Sequence, residues 1–420
     1  MNSENALALP VTGEPVIPEQ WGLAAIVGQL YAGANAEKLQ QAIITRLGDQ
    51  TQAAGAWLDL SILRRTLGDV ERAEIFEREA LSRSPIYRKA SSATNPLRLL
   101  VFKTVGNFMA NTPVEFMLEG SNVEVISVYL NNAMSDLGPV PDHDVALFAI
   151  GESPESRNVL NKCMRLFDKW PGNLLNFNVP AIIRLDRSKL WHHLIGVEDL
   201  ACPWTLEFDR GELAEAPEAK IISELKGANF AYPLIVRPEG AHAGKNTNRV
   251  EAVVELSTVL GETTAERVHL SQFIDYASAD RQFRKYRLAL IDGVAYPSHM
   301  AISSHWMVHY LNAGMSESKA KRDEEAQWLN SFHETFAVKH KAALDRLCKT
   351  IGLDYFAIDC AETKDGALLI FEIDTAMIVH CMDVEPKYEY KKAPMQKLFN
   401  AFQGMLKEAT SRPSSSRQQR

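Results

Sequence analysis

The sequence predicts an α+β fold that follows a small doubly wound α/β domain and an all-α helical-repeat module at the N-terminus. Three observations support this order. Apolar residues recur at three- and four-residue spacing from Trp21 to about Ala90. Short apolar runs then alternate with helical patterns from Leu97 to about Pro180, which is typical of parallel strands with crossover helices. From about Arg184 onward, the order of strands and helices has antiparallel character.

Composition and charge exclude several classes of protein. A chain of 420 residues is long enough for two or three domains. Its formal charge of −8, without a basic stripe that includes aromatic residues, argues against a nucleic-acid partner. The sequence has no apolar run of about 18 residues and no secretory signal pattern, so we expect a cytoplasmic protein with no membrane partner. The five cysteines lie far apart without a CxxC pair, which argues against a disulfide framework or a structural zinc site.

The N-terminal part is predicted to be helical. We expect a flexible segment at 1–18 and a helical module at 19–92, with helical patterns in AEKLQQAIITRL and ERAEIFEREALSR. Between 56 and 87 the chain resembles a tetratricopeptide repeat in a single register. The matching residues are Trp57, Leu60, Gly68, Ala73, Ala80 and Pro85. One repeat alone buries too little apolar surface, so the module is expected to pack on the rest of the protein or on another subunit.

The next part, predicted to span 96–182, has the pattern of a small doubly wound domain. Buried parallel strands are predicted in LRLLVFKTV, VEVISVYL and HDVALFAIG, with helices in PVEFMLEG and SRNVLNKCMRLFDKW. Gly106 follows the first strand, but the sequence there is not GxGxxG, so no dinucleotide fingerprint is predicted.

The main α+β domain is predicted at 183–409, with one subdomain at 183–275 and a second at 276–409, before a disordered tail at 410–420. Its predicted strands are PLIVRPEG, residues 268–274, YRLALIDG and VAYPSHMAIS, and its predicted helices span 187–197, 331–351 and 394–409.

Three carboxylates in the segment LDYFAIDCAETKDGALLIFEID are the strongest local signal. Asp359 lies in one apolar run and Glu372 and Asp374 in the next, and the TKDG sequence between them is typical of a hairpin turn. Side chains two residues apart on a strand share one face. That face suits a hard cation such as Mg²⁺, which binds carboxylates together with substrate phosphates. The alternative is a solvated sheet face without a ligand.

Six segments in order carry a family resemblance that covers about Leu97 to Ala409. They are DRSK at 186–189, YPLIVRPEGAHAGKN at 232–246, VHLSQFIDY at 268–276, KYRLALIDG at 285–293, HWMVHYLNAGMSE at 305–317 and the carboxylate hairpin. Together they resemble ATP-grasp ligases, similar to glutathione synthetase, D-alanine-D-alanine ligase and the ribosomal-protein glutamate ligases.

The resemblance implies a set of nucleotide-binding residues. ATP phosphates would be held by Arg187, Lys189, Arg237, Gly240, Gly244 and Lys245, the base by Gln272, Phe273 and Ile274, and the ribose by Asp275 or Asp280. The chain departs from the family pattern at three of its positions, because Arg187 and Arg237 replace lysine and Asp374 replaces asparagine. Arginine keeps the positive charge but is bulkier than lysine.

The resemblance also implies the catalytic and substrate residues. Arg287, Arg237 and Asn312 would act on the transferred phosphate and the acyl group, while His305, His309 and Gly314 would line the substrate pocket. Asp359, Glu372 and Asp374 would bind Mg²⁺, as one ion or two, with Mn²⁺ as a substitute.

The function implied is an ATP-dependent carboxylate-amine ligase that works through an acylphosphate. Its partners would be a carboxylate and an amine or other nucleophile, the substrate being an amino acid or a peptide held by the helical module. The family also suggests a homodimer. The alternative is a degenerate relative that binds nucleotide and acts as a scaffold or sensor, which the departures from the family pattern favour.

Overall fold

The computed structural model describes residues 17–216, 218–227, 230–239, 246–383 and 386–411. Most of the predicted flexible N-terminus and of the predicted tail lies outside these ranges, and so do Gly240, Gly244 and Lys245 of the predicted glycine loop. Over the part of the chain that is described, no helix is both long enough and apolar enough to cross a membrane.

Four helices form the N-terminal part. They are α1 (Leu23–Tyr31), α2 (Ala36–Thr45), α3 (Ala53–Thr66) and α4 (Val70–Arg83). Asn35 and Asp69 cap α2 and α4, since their side-chain oxygens accept hydrogen bonds from the backbone in the first turn of each helix. Helix α3 is central, because Leu58, Leu60 and Leu63 are all at most 2% exposed.

A five-stranded sheet follows. Its strands are β1 (Ile86–Lys89), β2 (Leu97–Thr104), β3 (Val123–Leu130), β4 (Val145–Phe148) and β5 (Leu174–Leu175), in the spatial order β1-β3-β2-β4-β5. Strands β2 to β5 are mutually parallel, while β1 is antiparallel to β3. The accompanying helices are α5 (Val114–Leu118) and α6 (Arg157–Leu166).

Strand β1 lies where the helical pattern was predicted to continue to about Ala90, so that prediction is wrong after Pro85. Tyr87 on this strand is fully buried, and its hydroxyl donates a hydrogen bond to the carbonyl of Ala80 at 2.6 Å. The extended backbone therefore ties the end of helix α4 to the edge of the sheet.

The next segment forms a four-stranded antiparallel sheet with its own core. It is preceded by α7 (Val179–Ile183), α8 (Arg187–Leu194) and the short strand β6 (Leu200–Ala201). Its elements are β7 (Thr205–Asp209), α9 (Arg210–Glu215), α10 (Glu218–Gly227), β8 (Leu234–Pro238), β9 (Asn248–Val250), α11 (Val253–Glu262) and β10 (Arg267–Gln272). The spatial order is β7-β10-β8-β9.

A second five-stranded sheet carries the predicted carboxylates. Its strands are β11 (Phe283–Ile291), β12 (Val294–Ser303), β13 (Tyr355–Glu362) and β14 (Leu368–Asp374), joined at the edge by β6 in the order β12-β11-β13-β14-β6. Strands β13 and β14 form the predicted antiparallel hairpin, which is confirmed. Gly366 in the turn has a φ of 90°, a conformation that glycine adopts without strain.

The helices beside this sheet differ from the prediction. One helix was predicted at 331–351, but the structure has α12 (Lys319–Ser331), α13 (Phe336–Lys339) and α14 (Lys341–Ile351). The break lets the rings of Phe332 and Phe336 stack with 5.5 Å between centroids, and both side chains are buried. The last helix, α15 (Lys392–Ser411), packs against apolar residues from both five-stranded sheets.

Candidate active site

A row of four polar side chains crosses the second five-stranded sheet. His299 on β12 pairs with Arg287 on β11, Arg287 with Asp359 on β13, and Asp359 with Glu372 on β14. Residues that face each other across neighbouring strands share one face of the sheet. Strand register therefore places a histidine, an arginine and two carboxylates in one line.

Asp359 is the buried centre of this row, with 2% exposure. Arg287 binds it with two hydrogen bonds, Nε to Oδ1 at 2.8 Å and Nη2 to Oδ2 at 3.1 Å, and Lys285 Nζ lies 2.6 Å from Oδ2. Burial alone would raise the pKa of Asp359, but Arg287 and Lys285 hold it well below its ordinary value. Asp359 therefore stays ionised and fixes two cations beside it.

The other end of the row is bound by a different cation. A guanidinium nitrogen of Arg187, at the start of α8, donates a hydrogen bond to Oε1 of Glu372. Asp374 lies two residues further along β14, and its Oδ1 accepts a hydrogen bond from the backbone N–H of Ala376 at 2.7 Å. Burial raises the pKa of Asp374 to about 6.

Glu372 and Asp374 open into a cleft of about 660 Å³. One wall comes from the four-stranded sheet, with Arg237 and Glu239 at the end of β8 and His269 on β10. Other lining residues come from the loop after β2 and from helix α4 of the N-terminal part. The lining residues on α4 are Val70, Glu74, Glu77 and Arg78. Three parts of the chain therefore meet around one cleft. Its volume is in the usual range for a site that binds a small molecule.

The predicted phosphate-binding residues divide into two groups. Arg187, the first residue of α8, and Arg237 on β8 both line the cleft. Lys189 is not among the described lining residues; its Nζ lies 3.7 Å from Oδ2 of Asp186. The predicted glycine loop, with Gly240, Gly244 and Lys245, lies outside the described residues.

The predicted base and ribose residues lie away from this cleft, as none of the described residues from 272 to 280 lines it. The Arg249 guanidinium stacks on the ring of Phe273, 4.1 Å from its centroid. Asp275 binds Lys364 of the β13–β14 turn at 2.5 Å, and Asp280 binds Arg284 at 2.8 Å. Gln272 is the last residue of β10, and Ile274 packs against the apolar core that the two five-stranded sheets share.

The predicted substrate residues lie on an irregular segment between β12 and α12. His305 Nδ1 accepts a hydrogen bond from Met307 N at 3.2 Å, and Asn312 Oδ1 accepts one from His309 N at 3.0 Å. Gly314 has a φ of 66°. His305 and Asn312 therefore stabilise the backbone conformation of this segment. We call residues 304–318 the substrate segment, and it lies at the His299 end of the row.

A buried charged network anchors this segment, and no sequence pattern predicted it. Glu325 on α12 is fully buried and accepts hydrogen bonds from the hydroxyls of Tyr310 at 3.2 Å and Tyr390 at 2.6 Å. Lys391 Nζ donates to the Tyr310 hydroxyl and to Asp383, the latter at 2.7 Å. The Tyr310 ring packs on His299 with 4.7 Å between centroids. The network thus links the segment to the row.

Lys285 and His299 were also missed. Lys285 could have been found from the spacing, because it lies two residues before Arg287 on the same strand face. Burial and the nearby cations Arg287 and Lys391 lower the pKa of His299 well below its ordinary value, so the ring is neutral. Its buried Nδ1 has no hydrogen-bond partner among the described residues.

The carboxylates fit a magnesium ion only in part. Asp359 fits less well, because it is not among the described lining residues of the cleft and its charge is already balanced by Lys285 and Arg287. Glu372 and Asp374 fit, since both line the cleft, and Oε2 of Glu372 and Oδ2 of Asp374 accept no hydrogen bond from any described residue. Among the described residues, no group of three or more His, Cys, Asp or Glu side chains is arranged to hold a metal. One or two carboxylates with substrate phosphates are a usual ligand set for Mg²⁺.

Comparison with known protein families gives no match. No curated protein matches the sequence either. The structure is similar to VanG D-Ala:D-Ser ligase from Enterococcus faecalis, with 12% identity over 74% of this chain and 100% of that chain and a TM-score of 0.45. It is similar to an ATP-bound D-alanine-D-alanine ligase from Bacillus anthracis, with 16% identity over 76% and 99% of the two chains and a TM-score of 0.44.

A third similar structure is a RimK-domain ATP-grasp protein from Sphaerobacter thermophilus, with 16% identity over 73% of this chain and 98% of that chain and a TM-score of 0.39. At TM-scores below 0.5, these similarities are too distant to assign a substrate or a reaction.

Proposed function

We propose that this protein is an ATP-dependent ligase that joins a carboxylate to an amine through an acylphosphate. One observation carries the proposal: the row that runs from Glu372 in the cleft to Arg287 and His299 at the substrate segment. Such a row would hold the groups proposed to bind the phosphate and the acyl group on one rigid surface, and this supports a transfer between two anions.

In the first step, a carboxylate oxygen of the substrate attacks the γ-phosphorus of ATP. The bond from this phosphorus to the bridging oxygen breaks, and ADP leaves with the electron pair. In the second step, the amine nitrogen attacks the acyl carbon, phosphate leaves, and the nitrogen loses a proton. No protein nucleophile is needed, so the protein acts by positioning and by fixed positive charge.

The fixed positive charge comes from two places. Arg187 and Arg237 lie in the cleft, where they would contact phosphate oxygens. Arg287 and Lys285 lie on β11 beside Asp359, which holds them in place, and there they would contact the carboxylate and the transferred phosphate. An ion pair that is already formed needs little reorganisation when the reaction occurs.

Magnesium is expected to bind at Glu372 and Asp374. When bound, Mg²⁺ supplies positive charge to the phosphate oxygens. Asp359 is assigned a different role from the one predicted, as the counter-ion of Arg287 and Lys285.

The second substrate is proposed to be a peptide or another amine that contacts helix α4. This helix belongs to the N-terminal part and yet lines the cleft, and Val70 on it is 50% exposed. The charged side chains of α4 that line the cleft, Glu74, Glu77 and Arg78, would contact the charged groups of such a substrate. The homodimer and the cytoplasmic location stay predictions.

The proposal is tested by screening carboxylates and amines for ADP release by the full chain. The matched variant is Glu372→Gln, which keeps the shape of the side chain and removes its charge. We expect at least a hundredfold loss of ADP release in this variant, because the ion and Arg187 both lose their ligand. Equal ADP release by both proteins would exclude this assignment of the site.

A second function, a nucleotide-binding scaffold without ligation, is favoured by one observation. Lys285, Arg287 and Arg187 already neutralise Asp359 and Glu372, two of the three predicted metal ligands. A scaffold would be stabilised against heat by ATP but would release no ADP with any carboxylate and amine. The two functions therefore differ in turnover and not in nucleotide binding.

A further inference from the structure

Arg187 is held firmly next to the carboxylates of the cleft. It is the first residue of α8, and the preceding residue, Asp186, caps this helix by accepting a hydrogen bond from Ser188 N at 2.8 Å. Arg157 Nη2 in turn binds Oδ2 of Asp186 at 3.0 Å. A capped helix start and an ion pair behind it therefore fix the backbone from which the Arg187 side chain reaches Glu372.

The oxygens left for a metal can be counted. Both oxygens of Asp359 already bind Lys285 or Arg287, so this carboxylate has no oxygen without a partner. On Glu372 only Oε2 accepts no hydrogen bond from a described residue, since Oε1 accepts one from Arg187, and on Asp374 only Oδ2 does not, since Oδ1 accepts one from Ala376 N. Two carboxylate oxygens and the phosphates of a nucleotide are enough for one magnesium ion. A second ion would have to share Glu372 with the guanidinium.

We propose that Arg187 takes the place of a second metal ion, so that this protein holds its nucleotide with one divalent cation and one fixed guanidinium on Glu372. The inference rests on the proposed function. A guanidinium suits this position because it is planar and can bind a carboxylate on one side and a phosphate on the other.

The charge of Arg187 persists in the cleft. A guanidinium loses its proton only in strong base, and the Arg187 side chain lies next to the carboxylate of Glu372. The side chain is therefore protonated at neutral pH and acts as a permanent cation. Unlike an ion, it cannot be removed by a chelator.

The test counts Mn²⁺ ions bound to the full chain by electron paramagnetic resonance, in a titration with a non-hydrolysable ATP analogue. We expect one Mn²⁺ per bound nucleotide in the wild type and two in Arg187→Gln, where Oε1 of Glu372 is released. Arg187→Lys keeps the charge and should bind one. Arg346→Gln is the matched control, because Arg346 binds Glu198 and Asp199 on an exposed surface away from the cleft and should also bind one.

Two Mn²⁺ ions per nucleotide in the wild type would overturn the inference while leaving the proposed function intact. The same count in wild type and Arg187→Gln would also overturn it. If the analogue bound neither with Mn²⁺ nor without it, the inference and the proposed function would both be wrong. The wild-type count alone decides the question if Arg187→Gln does not fold.

Discussion

Asp359 and Glu372 lie directly opposite each other on β13 and β14, yet each binds different cations. Asp359 binds Lys285 and Arg287 on β11, whereas Glu372 binds Arg187 on α8. The register slips by one residue immediately after this pair, which leaves Phe371 without a partner on β13. Glu372 thus lies in the cleft, whereas Asp359 lies towards the substrate segment.

Replacing Asp359 by asparagine should destabilise the protein strongly. The variant leaves the half-buried cations of Lys285 and Arg287 without their counter-ion, and breaking a buried ion pair from one side costs about 3–5 kcal/mol. The free energy of unfolding is measured by urea denaturation. Asp323→Asn is the control, because its partner Lys319 is 80% exposed and such pairs contribute at most about 1 kcal/mol. Similar losses in the two variants would contradict the structural role given to Asp359.

The stability of the N-terminal part should depend on pH through Asp59. This carboxylate is fully buried beneath α1, where it accepts hydrogen bonds from Trp21 N at 2.9 Å and Gly22 N at 3.1 Å. Burial raises its pKa from an ordinary 3.8 to about 6, although these hydrogen bonds and Arg46 act to lower it. Between pH 3.8 and about 6, the folded state therefore keeps a proton on Asp59 that the unfolded state has already released.

The free energy of unfolding should consequently fall by about 1–3 kcal/mol as the pH rises from about 4 to 6, because Asp59 becomes ionised in the folded state. Above about pH 6 the contribution of Asp59 should no longer change. The measurement is the difference in unfolding free energy between the wild type and Asp59→Asn at each pH, because asparagine resembles the protonated acid and does not titrate. A difference that stays constant from pH 4 to 7 would show that Asp59 is ionised throughout.

Charge reversal on the cleft side of α4 should weaken binding of the second substrate alone. Arg78 lines the cleft far from β14 in sequence, and Arg78→Glu changes the local charge by two units. We expect KM for the amine substrate to rise about tenfold, a loss of about 1.4 kcal/mol, with an unchanged nucleotide Kd. Arg72→Glu is the control, since Arg72 lies on the same helix but is not a lining residue and its side chain is 63% exposed. An equal change in both variants would remove α4 from the substrate site.

The sequence predicted the parts of the fold that depend on local pattern. The hairpin of Asp359 and Glu372 was predicted because alternating apolar residues flank a short turn sequence. Helix α12 was missed because only Glu325 and Leu329 on it are buried, which leaves too few apolar residues to produce a helical period.

Contacts between distant segments could not be predicted in the same way. Glu325 and Tyr390 are 65 residues apart, and their hydrogen bond depends on how α12 and the start of α15 pack on the sheet. No spacing rule connects such positions. The same holds for helix α4, whose place in the cleft depends on how β1 joins the sheet. Arg187 and Arg237, by contrast, were both predicted and both line the cleft.

Tyr310→Phe should raise KM for the carboxylate substrate through the shape of the substrate segment. The Tyr310 hydroxyl binds Glu325 and Lys391, so its removal releases the segment that carries His309 and Asn312 from the buried network. Each such hydrogen bond contributes about 1–2 kcal/mol of stability, and this variant loses two of them. Tyr390→Phe is a close control, because Tyr390 donates to the same oxygen of Glu325 but lies outside the segment.

Both variants should therefore lose stability in thermal unfolding, Tyr310→Phe the more because it removes two hydrogen bonds and Tyr390→Phe one. Only Tyr310→Phe should raise KM for the carboxylate, by about five- to tenfold, with little change in the nucleotide Kd. This difference separates positioning of the substrate from general stability, because Glu325 loses one hydrogen bond in either case. If Tyr390→Phe raised KM as much as Tyr310→Phe, the network would act on the whole sheet, and Tyr310 would have no particular role in holding the substrate segment.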